Sequence, residues 1–251
     1  MRICALVPTL DNPRTVRDVV DGLRAHGLPV LVVDDGSGPE GRAACAALAA
    51  DGLATVVRHE HNRGKGAACR TGFLRARELG YTHAFQVDAD GQHDLAAVPA
   101  FVAAARAKPA ALVCAFPEYD DTAPRARLVA RRLTHFWVAL EVGGEDRLRD
   151  ALIGFRVYPL DAVLALPGFG TGMEFDVDVA VRLVRAGVEP VNLPVRVRYR
   201  SAADGGVSHF RPVRDNLRLA WMHCRLCTLG CVRWTFRRLW PFGRARAPAG
   251  R

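Results

Sequence analysis

Three carboxylates, a glutamine and a histidine crowd the end of an apolar run in "FQVDADGQHD", Phe85 to Asp94. In an extended segment Asp88 and Asp90 bracket Ala89 and project from the same face. No basic residue adjoins them in the sequence, so a divalent cation beside or between them would relieve their repulsion. Oxygen donors suit Mg²⁺ or Mn²⁺, which keep open positions for substrate phosphates. Gln92 and His93 follow at once and can add a ligand or orient one.

Two further clusters precede this one. "NRGKGAA" sets Gly64 and Gly66 around Lys65 at a helix start, where backbone amides, the positive helix end and the ammonium together suit a phosphate. It is neither a P-loop, whose GxxxxGKS/T spacing is missing, nor a dinucleotide fingerprint, which would follow the first strand and need glycine where Cys69 stands. "VVDDGS" puts Asp34 and Asp35 where a carboxylate accepts hydrogen bonds from a ribose or base. Each cluster alone is ordinary turn chemistry. Their common placement decides the matter.

The elements that place them alternate. Apolar runs at "ICALVP", "PVLVVDD", "LATVVRHE", "THAFQVD" and "PAALVCAF" read as strands. Between them, "TVRDVVDGLRAHG", "GRAACAALAADG", "KGAACRTGFLRARELG" and "LAAVPAFVAAARA" read as helices. Near-continuous apolar strands alternating with helices predict an α/β fold, a mostly parallel sheet covered on both faces. Ligands of such sheets bind where loops leave the carboxyl ends of the strands, and all three clusters fall there. His59 and His61 read as surface residues flanking a strand end.

In this order and spacing, "LVPTLDN", "LVVDDGSG", "NRGKGAACRTG" and "FQVDADGQHD" resemble a family 2 glycosyltransferase of the GT-A fold, in particular the dolichol-phosphate and polyprenyl-phosphate sugar transferases. "DALIGFRVYP", Asp150 to Pro159, and "GMEFDVDVAVRLVRAGVEPVNLPVRVRYR" extend the likeness over roughly residues 1–212. The resemblance implies a nucleotide-sugar donor, a UDP- or GDP-sugar, a divalent metal, Mg²⁺ or Mn²⁺, and inversion at the anomeric carbon. It implies that Pro8, Thr9 and Asp35 line the nucleoside and that Lys65 and Asp88 hold the ribose and diphosphate side. Asp90 would bind the metal, with Gln92 a second ligand. Glu174 and Asp176, after Gly168, Gly170 and Gly172, are the candidate bases if the acceptor is a hydroxyl; a phosphate acceptor needs none. Asp176 and Asp178 also suit the first turn of a helix for its dipole alone. In the relatives an arginine and a Ser-Lys pair close over the diphosphate. Here Arg198, Arg200 and Ser208 are the counterparts, and His209 replaces the lysine and becomes a candidate metal ligand. "GVSHFR" followed by "RDNLRLAWMHCRL" is also similar to transferases of bacterial lipid or aryl-polyene pathways, which act on a hydroxyl. A nucleotidyltransferase on a related fold would want a Gly-rich, Arg-bearing loop where "VPTLDNPRT" stands. A nucleotide-sugar-binding protein without turnover would not need Asp88, Asp90 and Glu174 together.

The charge is uneven. The 251-residue chain has a formal net charge of +9, yet thirteen arginines face two aspartates from Arg196 onward, while the preceding residues carry 22 basic and 24 acidic side chains. "NLRLAWMHCRLCTLGCVRWTFRRLW" places Leu217, Trp221, Cys224, Thr228, Cys231 and Thr235 at helical spacing, with arginines breaking every apolar run. No uncharged stretch approaches the roughly 20 residues that span a bilayer. Residues 213–251 therefore read as a basic amphipathic membrane-interface segment after a domain at 1–212, with docking on the domain or on a second subunit as the alternative. Cys224, Cys227 and Cys231 read as packing on one helix face, with metal ligation the lesser reading. Nucleic acid would use the same arginines but leaves the acid cluster unexplained, so no nucleic-acid partner is expected. Residues 123–149 form a basic amphipathic pattern that either faces an acceptor or covers the sheet. Seven cysteines among mostly apolar neighbours and an N-terminal apolar run too short for a signal peptide predict free thiols in the cytoplasm. With the basic segment, that places the protein peripherally at the inner face of the membrane.

Overall fold

The structure is a computed structural model and describes residues 1–119, 125–198 and 211–239, with the side chains of 119, 125–130, 212 and 229–239 left out. The first half alternates as expected. It runs β1 (Ile3–Thr9), α1 (Val16–Ala25), β2 (Val30–Asp34), α2 (Pro39–Ala50), β3 (Thr55–Arg58), α3 (Lys65–Glu78), β4 (His83–Val87), α4 (Val98–Ala107) and β5 (Leu112–Tyr119). After it come α5 (Arg125–Val142), β6 (Phe155–Pro159), α6 (Leu160–Leu164), α7 (Phe175–Arg185), β7 (Pro190–Val197) and α8 (Pro212–Leu239).

The seven strands form one sheet in the order β3-β2-β1-β4-β6-β5-β7. Side chains alternate across it, as the pleat requires. Cys4 and Leu6 of β1 join a core with Phe73, Val138 and Phe175 from α3, α5 and α7. Ala5 and Val7 join the opposite core with Val19, Leu48 and Phe101 from α1, α2 and α4. Burial pushes the thiols of Cys4 and Cys45 up to about 12 and that of Cys114 to about 11, so these cysteines are inert apolar filling.

One strand departs from the parallel pattern. β6 runs antiparallel to both β4 and β5, with Phe155 opposite Val87. Because it runs backwards, its first residues lie at the edge where the other strands end, and Gly154 abuts Asp88. The loop leading into it is fixed by Asp150, fully buried. Its carboxylate accepts from the Leu152 and Ile153 amides at 2.8 and 3.0 Å, from His135 at 2.9 Å, and from Arg131 Nε at 2.7 Å. Burial alone would raise this carboxyl, but His135 and Arg131 outweigh it and hold the group below its ordinary value. A depressed folded pKa means stability that is present above the unfolded value, about 3.9, and lost as pH falls through the folded one. Asp150→Asn should thus cost about 3 kcal/mol at pH 7, shrinking towards pH 3, as read from urea midpoints.

Candidate active site

Along the carboxyl edge the loops are tied together by backbone bonds. The Asp35 amide donates to Thr9 O at 2.8 Å and the His59 amide to Asp34 O at 2.9 Å, so Pro8, Thr9 and Asp35 sit side by side. Asp34 accepts from the Ser37 amide at 2.8 Å and pairs with Arg58. Asp35 is buried and fully engaged. Its two oxygens accept from the Arg63 amide at 3.0 Å, the Gly64 amide at 2.8 Å and His59 Nδ1 at 2.7 Å. His59, expected at the surface, is instead buried, with Nε2 2.9 Å from the Thr71 hydroxyl; the Asp35 carboxylate, an acceptor only, draws it inside. His61 is exposed, as expected.

The glycines around Lys65 serve a different end from the one their spacing suggested. Gly64 has a φ of 99°, and a Cβ there or on Gly66 would strike the carbonyls of Thr171 and Gly170. The amides of Gly64 and Ala67 are already given to Asp35 and, at 3.2 Å, to Thr171 O. The glycines make room for the 170–172 loop, and the positive charge at this helix start is carried by the Lys65 side chain.

Lys65 is the centre of the site. Its Nζ lies 2.7 Å from Asp88 Oδ1, 2.9 Å from Asp88 Oδ2 and 2.7 Å from Asp176 Oδ2. Burial alone would lower its pKa, but Asp176 and Asp88 more than offset that and raise it, so the ammonium stays charged. The charge of Asp88 is therefore offset within the protein. Asp88 does have a basic partner, 23 residues away in sequence, and a metal is not needed to explain it. Asp176 Oδ1 accepts from Gln86 Nε2 at 2.9 Å, and Gln86 Oε1 accepts from the Tyr158 hydroxyl at 3.1 Å. Arg156, fully buried, donates to the Asp176 backbone carbonyl. Gln86, Arg156 and Tyr158 were not read as site residues from the sequence. The one signal was an amide and a guanidinium inside otherwise apolar strands.

Asp90 is half-buried in the next turn. Its Oδ1 accepts from the Gln92 amide at 3.0 Å, and its Oδ2 has no protein partner among the described residues. The turn is held from two sides. The Thr15 hydroxyl donates to Ala89 O at 2.6 Å. The Arg198 amide donates to Gln92 O at 3.0 Å and the Asp94 amide to Arg196 O at 3.1 Å, bringing the end of β7 and Arg198 beside Gln92. Among the described residues no three His, Cys, Asp or Glu side chains converge as a metal cage. An open carboxylate oxygen with an amide side chain nearby still fits Mg²⁺ or Mn²⁺, which take one or two protein oxygens and leave the rest to water and substrate phosphates. Arg200, Ser208 and His209 lie outside the described residues.

Glu174 stands at the start of α7 and its Oε1 accepts from the Gly172 amide of the preceding loop at 3.1 Å, while its Oε2 is buried without a hydrogen-bond partner. Asp178 is not free for chemistry. It accepts from the Gly170 amide at 2.7 Å, from Arg182 at 2.6 Å and from Arg225 of α8 at 3.3 Å. Cys224 and Cys227 of α8 do not share a packed face, and the Cys231 side chain lies outside the described residues. Cys224 is exposed, and Cys227 turns inward to 3.8 Å from Glu141 Oε1, because they sit on different sides of the helix.

A sequence model of glycosyl transferase family 2 matches residues 4–159. The glycosyltransferase AglJ of Haloferax volcanii is 27% identical over 221 residues, covering 85% of this chain and 68% of that one. The undecaprenyl-phosphate mannosyltransferase of Micrococcus luteus is 27% identical over 224 residues, covering 83% and 88%. The glucosyl-3-phosphoglycerate synthase of Mycobacterium tuberculosis, solved with UDP, shares the fold at a TM-score of 0.65 and 20% identity over 90% of this chain and 80% of that one; it has also been solved with Mn²⁺ and UDP-glucose. The family match covers well over half the chain and includes the Lys65, Asp88 and Asp90 turns. The chain is a glycosyltransferase and belongs to glycosyl transferase family 2.

Proposed function

We propose that the protein transfers a sugar, with inversion, from a UDP- or GDP-sugar to a polyprenyl-phosphate-type acceptor. The observation that carries this reading is the charged, buried Lys65 clamped between Asp88 and Asp176, one turn from an Asp90 with an open oxygen. Pro8 and Thr9 form the nucleoside side, and Asp35 shapes it by holding the 59–64 loop. Lys65 and Asp88 face the ribose and diphosphate, with Arg198, Arg200 and Ser208 closing over the phosphates from the end of β7. Asp90 and Gln92, with His209 a third candidate, are the residues that would hold Mg²⁺ or Mn²⁺, whose charge offsets that growing on the departing nucleoside diphosphate.

Both carboxylate oxygens of Asp176 are taken, by Lys65 and Gln86, so it positions the lysine and is a poor proton acceptor. A phosphate acceptor, already ionised, asks for no base. The buried, unpartnered Oε2 of Glu174 favours a second reading, a hydroxyl acceptor whose proton Glu174 takes. The acceptor is met at the inner face of the membrane, where the protein is peripheral; no described helix is long and apolar enough to cross a bilayer.

Melting curves with UDP, GDP and their common sugars, with and without Mn²⁺, test the donor. A ligand at about 100 times its dissociation constant should add roughly 2.7 kcal/mol for one base only. No shift with any nucleotide would sink the reading. Radiolabelled sugar entering polyprenyl phosphate, but not the free alcohol, would separate the two acceptors.

A further inference from the structure

Among the described residues, seven of the nine large hydrophobic side chains that remain exposed lie on just two helices, α5 and α8. Leu133, Phe136 and Leu140 repeat at helical spacing along α5, Leu217 and Trp221 along α8, and all five are between 53% and 71% exposed. The two helices lie side by side. His223 Nδ1 donates to Glu141 Oε1 at 2.9 Å, and Trp137 stacks on the His223 ring at 6.3 Å. Their inner faces are finished surfaces, with Val138 and Val142 of α5 and Met222 and Leu226 of α8 in the core. A cover for the sheet thus needs only one side of each helix, and nothing among the described residues packs on the other.

We propose that the outer faces of α5 and α8 together form a docking surface for an anionic lipid bilayer. The inference deepens the proposed function and rests on it for the acceptor, though not for the surface itself. Charge selects the occupant. The only acidic residues of the two helices, Glu141 and Asp215, are both buried, whereas Arg132 and Arg214 are exposed. A second copy meeting this face about a two-fold axis would set arginine against arginine with no carboxylate between them. Lipid phosphates supply the missing negative charge, while the leucines and Trp221 enter the headgroup and acyl boundary. The face is also mechanically joined to the site. From the inner side of α8, Arg218 lies against Gly172 and Arg225 reaches Asp178 at 3.3 Å, on the segment that carries Glu174 and lies over the start of α3. Docking therefore presents the acceptor side of the site to the membrane.

The test uses the full chain and co-flotation with phosphatidylcholine vesicles, with and without about a third phosphatidylglycerol. The wild-type protein should float with anionic vesicles only, and Leu140→Glu and Trp221→Glu should each weaken partitioning about tenfold. Both positions are exposed, so melting temperature and nucleotide-induced melting shifts should stay put. Unaltered flotation of both variants overturns the proposal. So does a dimer on size exclusion that Leu217→Glu converts to a monomer, or binding to duplex DNA that anionic vesicles cannot displace. Vesicle binding without any sugar transfer would sink the acceptor reading and leave the surface standing. Transfer to a water-soluble short-chain acceptor without vesicle binding would do the reverse.

Discussion

Lys65→Met is expected to destabilise the protein by about 3 kcal/mol and to abolish the nucleotide-dependent melting shift. Removing the ammonium leaves Asp176, almost fully buried, and Asp88 facing each other with no counter-charge, and breaking a buried ion pair from one side costs more than the pair contributes. The two effects can be separated. Lys65→Met combined with Asp176→Leu removes the stranded charge and should recover most of the stability. It should not recover donor binding, because the positive charge offered to the diphosphate is gone. Urea midpoints and nucleotide melting shifts on the single and double variants check both halves. A single variant within 1 kcal/mol of wild type, or one that still binds nucleotide normally, would remove Lys65 from the centre of the site.

Asp90→Ala should behave in the opposite way, with the fold kept and turnover lost. The only described bond of its side chain is to the Gln92 amide within the same turn, and that turn is held independently by Thr15, Arg196 and Arg198. The cost in stability should stay within about 0.5 kcal/mol. Turnover should fall about 100- to 1000-fold, the range seen when one electrostatic stabiliser of a developing anion is removed. Assays at several Mn²⁺ concentrations are the check, since a weakened metal site recovers partly as the ion is raised. Turnover within tenfold of wild type at low Mn²⁺ would place the metal elsewhere or dispense with it. Asp88→Asn is the control, because it should disturb Lys65 and donor binding more than the metal dependence.

The strands and helices of the first half were legible because each carries its own periodicity. Near-continuous apolar runs separated by glycine-closed helices leave few alternatives, and the carboxyl edge then follows from the parallel order. The family resemblance rests on the same short segments, and the match over residues 4–159 bears it out. Asp88, Asp90 and Lys65 were all picked out from their local setting. Their relation was not, because an ion pair between residues 23 apart depends on how β4 and α3 lie in space. Local reading treated Asp88 and Asp90 as two like charges, and the glycines about Lys65 as a phosphate cradle. The fold brings a lysine to the first and a protein loop to the second. His59 was misplaced for the same reason. A histidine at a strand end is ordinarily solvated, and only the buried Asp35 carboxylate makes the interior the better place for it.

The sequence by itself determined the family, the three-layer order of the first five strands and the edge that carries the candidate site. These rest on patterns that span a few residues and carry their physical cause within them. Tertiary structure alone decided that β6 runs backwards and begins against Asp88, and that Gln86, Arg156 and Tyr158 support Asp176 from beneath. It alone decided that, among the described residues, one side of α5 and of α8 has nothing packed on it. Each of these depends on which surfaces meet, and side-chain burial and pairing between distant segments are properties of the packed chain.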